Sequence, residues 1–332
     1  MAETKGRILV VDDIDSIRLA IREFLTREFD VYEAADGLEA LKLCETHPVD
    51  LVISDIRMPG MGGLELLRRL RPQFPNMKFA LMTAYNVDEY VNFVRNEGIY
   101  NIIPKSTFLD LNFIYVLARK LISGDIFGVR HYFPAMETES ISISGVHRFH
   151  RKPEETLSPT TFYQCRVTTA EENGAITDMV GDILVRSGVP SVVRMIIEEL
   201  AANAVLHAPP DRPIGETVAL RPEDAFEIGF GLNESHAIVG VTDFHGTLNR
   251  DEVLLRLERQ VTLDPVTNLP VGLTDGHGRG LYITREQVDH LVFNIEPGLR
   301  TEILCMIPLD TMMRSRAISI FQTPAPGYSG AG

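Results

Sequence analysis

The chain has 332 residues, enough for two domains at about 150 residues each. Hydrophobic residues make up 45% and charged residues 23%, the balance of a soluble globular protein with cores of useful size. Lysine and arginine number 32 against 46 aspartates and glutamates, and the resulting charge of −14 argues against sequence-independent nucleic-acid binding, which needs positive charge to displace counterions.

Residues 1–7 (MAETKGR) lead straight into the strand-like ILVV, which leaves no room for a signal peptide. No apolar run reaches the roughly 18 residues needed to cross a bilayer. Cys44, Cys165 and Cys305 are far apart, which speaks against a disulfide scaffold or a cysteine-rich zinc site. The expected setting is the cytoplasm, with no membrane partner. From residue 7 to 122 short apolar runs (RILVV, DVYEA, DLVIS, KFALMT, YNIIP) alternate with helical periodicity, as in a parallel sheet with crossover helices. Ile17, Ile21, Phe24 and Leu25 share one face of the first helix. The expected fold class is α/β, a doubly wound five-stranded parallel sheet over residues 1–125 that binds ligands at the carboxyl ends of its strands.

Asp12 and Asp13 end the first of these strands, Asp55 the third and Thr83 the fourth, and Lys105 follows the fifth. In a parallel sheet all five side chains converge at one edge. Three carboxylates together repel one another unless a cation relieves them, and an all-oxygen pocket that also admits a phosphate suits Mg²⁺. Lys105 then offers a positive charge and Thr83 a hydroxyl to phosphoryl oxygens. With VVDD, SDIRMPGMGG, MTA and IPK in order and spacing, residues 7–122 resemble a response-regulator receiver domain. The resemblance implies a flavodoxin-like fold with Asp55 as phosphoacceptor, served by a histidine kinase or phosphotransfer protein. It implies Mg²⁺ held by Asp13, Asp55 and the Arg57 carbonyl, supported by Asp12, with Lys105 and Thr83 reading the phosphate. Two positions depart from the family: Ile102 stands where an aromatic switch residue is usual, and Pro104 precedes the lysine where a proline normally follows it.

Residues 126–161 hold Pro134, Pro153, Pro159, the alternating SISIS and the basic HRFHRK, and read as a linker that adds a strand at most. His147 and His150 have no companion at ligand spacing and read as part of a solvated connector. The apolar continuation IFGV (126–129) predicts packing against a neighbour rather than a free tether. A second domain is expected over 162–312. It starts with YQCRVT, helices at 170–187 and 190–207, and the strands EIGFGL and AIVGVTD. A helix near 251–260, a Pro/Gly-rich loop, a helix near 280–290, and HLVFNIE and TEILCMIP around the turn PGLR complete it. Residues 313–332 read as a flexible tail.

In the helix SVVRMIIEELAANAVLHA, Val193, Ile196, Ile197, Leu200 and Ala204 form the core stripe, and Glu199, Asn203 and His207 a polar stripe beside it. Glu198 lies about 140° round the helix from Asn203, so Glu199 is the candidate partner. Asp243 ends a strand and Gly246 follows in a turn. Gly276, Gly278 and Gly280 precede a helix, where backbone N–H groups can approach phosphate oxygens. In this order the set resembles the GHKL ATPase fold, an α+β two-layer sandwich, and EELAANAVLHA resembles its branch of anti-sigma-factor serine kinases. The resemblance implies ATP with Mg²⁺ on Asn203, Asp243 accepting from the adenine amino group, and Glu199 as general base. Gly278 and Gly280 would line the phosphates, Gly246, Gly276 and Arg279 would join the nucleotide site, and 260–277 would be a lid. The family's D-x-G-x-G is replaced here by Asp243-Phe244-His245-Gly246-Thr247. His131, His147 and His150 lie in irregular sequence, unlike the phosphoacceptor of a sensor histidine kinase. Two outputs follow: a serine/threonine kinase acting on an anti-sigma-antagonist-like partner, or a binding module that sequesters a sigma factor without phosphoryl transfer. A homodimer is compatible with either.

Overall fold

A computed structural model describes residues 5–83, 98, 100–105, 109–133, 139–144, 157–158, 161–211, 220–262, 271, 279–310 and 317–323. They fall into two compact units that part between Ile126 and Phe127. No helix among the described residues is long and apolar enough to cross a membrane.

The first unit runs β1 (Arg7–Val11), α1 (Asp15–Leu25), β2 (Asp30–Ala34), α2 (Gly37–Thr46), β3 (Leu51–Asp55), α3 (Gly63–Leu70), β4 (Lys78–Thr83), β5 (Ile102–Pro104) and α4 (Leu111–Ser123). Its sheet has the order β2-β1-β3-β4-β5 with every pair parallel. Because both faces are covered by helices, the central strands are apolar throughout: Ile8 to Val11 and Leu51 to Ile53 are fully buried. Burial of each such side chain stabilises by about 1.5–3 kcal/mol. Polar residues at the helix starts fix the register of the crossovers. Asp36 accepts from Leu38 and Glu39 N–H at the head of α2, and Asp110 accepts from Phe113 N–H at the head of α4. Pro104 ends β5, an edge strand, where a residue without an N–H is tolerated.

The second unit contains β6 (Glu139–Ser144), β7 (Thr161–Val167), α5 (Ala170–Arg186), α6 (Val193–Leu206), β8 (Phe226–Leu232), β9 (His236–Asp243), α7 (Arg250–Val261), α8 (Arg279–Gln287), β10 (His290–Glu296), β11 (Arg300–Pro308) and β12 (Ala317–Gln322). A mixed seven-stranded sheet has the order β12-β10-β11-β9-β8-β7-β6, antiparallel through its middle and parallel at both ends. α6 buries the stripe expected of it, Val193, Ile196, Ile197, Leu200 and Ala204, and packs against β9.

Two segments differ from the sequence reading. Residues 317–322 are not tail. AISIFQ pairs in parallel with β10 and is buried from Ala317 to Phe321, the pattern of a strand covered on both faces. Within the stretch read as a linker, residues 139–144 pair with β7, and a 3₁₀ turn at Val129–Tyr132 packs on the sheet of the second unit. His147, His150, most of the expected lid, and the end of the chain lie outside the described residues.

Candidate functional site

Asp12, Asp13 and Asp55 sit where β1 and β3 end, and the parallel register brings them together. One ligand oxygen from each lies within 4.8 Å of the others. Lys105 enters from the end of β5 and places its Nζ 2.6 Å from Asp12 Oδ2 and 2.8 Å from Asp55 Oδ2. Its backbone N–H donates to the Thr83 carbonyl at 2.6 Å, which ties the lysine to the end of β4. Thr83 is buried at this same edge.

The pocket is electrostatically tense. Burial raises the Asp12 carboxyl above the usual carboxylate range and the charge of Asp55 adds to this, while Lys105 and the Ile14 N–H pull the other way. Burial alone would lower the Lys105 ammonium, but its bonds to Asp12 and Asp55 outweigh that, and its pKa lies above the ordinary lysine value. The ammonium therefore stays charged and partly neutralises the carboxylates. Three oxygen donors from two strand ends, with exposed Asp13 at the rim, fit a small hard cation that keeps some of its waters. The residues present thus suit Mg²⁺. Ile102 is buried within β5, so the position where an aromatic side chain is usual in receivers is here part of the core.

In the second unit the helices and sheet leave a cavity of about 60 Å³. Asn203 from α6, His207 at its C-cap, Asp243 from β9, Thr247, and Glu252 and Arg256 from α7 supply its polar lining, and Leu200, Val241, Phe293 and Ile303 form part of the apolar wall. Asp243 is buried, and burial raises its carboxyl against the N–H groups of His245 and Gly246. Both N–H groups donate to Oδ1, at 3.0 and 3.2 Å, an Asx turn that holds the carboxylate at the strand end.

Of the predicted nucleotide residues, Asn203 and Asp243 share this cavity, whereas Glu199 does not line it. Glu199 packs against the start of α8: a Cβ on Gly280 would lie 1.8 Å from Glu199 Oε2. Gly246 serves packing. It has φ +60, and a Cβ there would lie 2.4 Å from the Leu299 N and 2.6 Å from the Glu296 carbonyl. The displaced glycine of the Asp243 motif therefore seats the β10–β11 turn. Arg279 begins α8, and Gly276 and Gly278 lie outside the described residues. Glu252 and Arg256, an ion pair at 2.6 Å in the cavity wall, were missed because an i,i+4 pair on a helix rich in charges of both signs reads as solvated surface.

Residues 8–111 match the family described as response regulator receiver domain. Over this part the chain is 39% identical to sporulation initiation phosphotransferase F of Bacillus subtilis across 80 residues, covering 24% of this chain and 64% of that protein. It is 37% identical to the sensor kinase CckA of Brucella abortus across 101 residues, covering 30% of this chain and 11% of that one. A longer match, 26% identity across 215 residues, relates it to the transcriptional regulatory protein DegU of Brevibacillus brevis, covering 60% of this chain and 90% of DegU. The chain thus spans less than two thirds of the first two relatives. Residues 8–111 form a response-regulator receiver domain with an acidic pocket suited to Mg²⁺.

Proposed function

We propose that the protein is a signalling response regulator in which Asp55 accepts a phosphoryl group and the second unit, binding ATP, is the controlled output. The input reading is carried by one observation, the Lys105 ammonium bridging Asp55 and Asp12 beside a third carboxylate. An Asp55 oxygen forms a bond to phosphorus as the P–N bond of a phosphohistidine on a histidine kinase or phosphotransfer protein breaks. Asp12, Asp13 and Asp55 would hold Mg²⁺, which supplies positive charge to the transferring phosphoryl group. Lys105 keeps its charge throughout and leaves Asp12 to pair with a phosphoryl oxygen, while the Thr83 hydroxyl serves another.

The output reading is supported by Asn203 and Asp243 lining one cavity. In this reading the buried Asp243 carboxylate, held by two N–H groups, would accept from an exocyclic amino group, as adenine offers. Asn203 would hold Mg²⁺ at the phosphates, and Glu199 would take the proton from a serine or threonine hydroxyl of an anti-sigma-antagonist-like partner as that oxygen bonds to the γ-phosphorus of ATP and the bridging P–O bond breaks to release ADP. The second reading, a module that captures a sigma factor without phosphoryl transfer, is favoured by the use of Gly246 for packing. DegU is named a transcriptional regulatory protein, but a net charge of −14 disfavours direct contact with nucleic acid here.

ATP turnover, or transfer to a candidate partner, separates these outputs. In the kinase reading Glu199→Gln still binds ATP and loses roughly 10²–10⁴-fold in rate, the usual worth of a general base. Nucleotide binding without turnover by the parent, with partner capture unaffected in Glu199→Gln, identifies the binding module instead.

A further inference from the structure

The face of the second sheet opposite α6 and α7 carries a buried carboxylate that neither reading uses. Glu302, on β11, is 3% exposed. Both of its oxygens accept from the Gly128 N–H, at 3.1 and 3.0 Å, and it also accepts from Asn294 Nδ2 at 2.6 Å and from Thr242 Oγ1 at 3.4 Å. Burying an ionised carboxylate costs several kcal/mol unless hydrogen bonds replace water, and here one of those bonds comes from a residue 174 positions away.

The sheet is shaped to receive that residue. On β8, a Cβ at Gly229 would lie 3.0 Å from Val129, and one at Gly231 would lie 2.6 Å from Phe133, so the two glycines form a groove in which residues 129–133 lie. Gly128 has φ +95, a conformation only glycine adopts without strain, and this conformation presents its N–H to Glu302. The Arg300 guanidinium lies 3.9 Å from the Phe127 ring centre.

Side chains alternate along β11. Arg300 and Glu302 face this segment, while Thr301 and Ile303 face the cavity. On the other side of Phe127, only residues 124–126 separate it from the end of α4 in the receiver domain. We infer that Glu302 is a positioning residue that fastens the segment following α4 to the cavity strand, so that the state of the receiver alters the cavity. The element with two arrangements is the 127–133 segment, seated or lifted from its groove. The second half of this inference rests on the reading of Asp55 as phosphoacceptor.

Hydrogen exchange on the full chain tests both halves, comparing parent, Glu302→Gln and Arg300→Ala, with and without beryllofluoride and Mg²⁺. Without beryllofluoride, either variant should exchange faster at 127–129 and 301–303, roughly tenfold in Glu302→Gln, as expected for a lost bond to a charged acceptor. With beryllofluoride, the parent should respond in the receiver and at 301–303, whereas the variants should keep the receiver response and lose the second. Unchanged exchange in both variants, or a response at 301–303 equal to the parent's, overturns the inference. A parent that responds in the receiver and not at 301–303 overturns it too. If the receiver itself does not respond, the phosphoacceptor reading fails, and the comparison without beryllofluoride decides alone whether Glu302 fastens the segment.

Discussion

Replacing Lys105 by methionine removes the cation that bridges Asp12 and Asp55 and keeps much of the side-chain volume. The groups are shielded from solvent: Asp12 is fully buried, and the Lys105 and Asp55 side chains are 14% and 11% exposed. Solvent screening is therefore weak, and breaking a buried ion pair from one side costs about 3–5 kcal/mol. Ile8 to Val11 and Leu51 to Ile53 keep their packing, so the loss reflects repulsion among carboxylates rather than a core defect. Two consequences distinguish repulsion from misfolding. Mg²⁺ no longer competes with the ammonium and should bind the variant more tightly, each tenfold gain narrowing the stability gap by about 1.4 kcal/mol. The pH dependence has a definite sign as well. Asp12 already has a raised pKa in the folded parent, so the folded state takes up its proton more readily than the unfolded chain. Loss of Lys105 raises that pKa further, so the gap to the parent should close as pH falls through the carboxylate range and widen as pH rises above it. Urea unfolding followed at β1 and β3 by hydrogen exchange, in EDTA and in Mg²⁺, measures all three. A loss below about 1 kcal/mol in EDTA, or a gap that neither Mg²⁺ nor acid narrows, refutes the reasoning.

Three further outcomes follow from the second unit and the thiols. Gly246→Ala should destabilise by about 1–3 kcal/mol through strain at φ +60, with added overlap against the 296–300 turn; thermal unfolding checks it. Asn203→Ala should abolish Mg²⁺-dependent ATP binding in calorimetry and leave Mg²⁺ binding by the receiver intact, and unchanged nucleotide affinity would remove Asn203 from the site. Burial pushes the Cys44 thiol up to about 11 and Cys165 to about 12, and Cys305 is raised as well, so a thiol-disulfide reagent at neutral pH should label none of them until the chain is unfolded.

The receiver was legible because each signal is local. Its strands are continuous apolar runs, and its pocket residues each stand at a strand end, so parallel pairing alone assembles them. The stripe on α6 was equally readable, since 3.6-residue spacing fixes which side chains meet the sheet. What escaped depends on distant partners. AISIFQ is short and lies beside small and proline-rich residues, and only pairing with β10 makes it a strand. Residues 126–129 read as apolar continuation and the rest as linker, but the glycines that receive Val129 and Phe133 stand about a hundred positions downstream on β8. Glu302 sits within TEILCMIP as one charge in a strand pattern, and nothing nearby in sequence shows that Gly128 satisfies it.

The central claim is that Asp55 takes the phosphoryl group, and locating an acyl phosphate tests it most directly. The full chain, treated with a small phosphoramidate donor and Mg²⁺ and then digested for mass spectrometry, should carry the modification on Asp55, lose it when Mg²⁺ is chelated, and show none in Asp55→Asn. Equal modification of Asp55→Asn, or a phosphate found on Asp12 or Asp13 in the parent, would contradict the account.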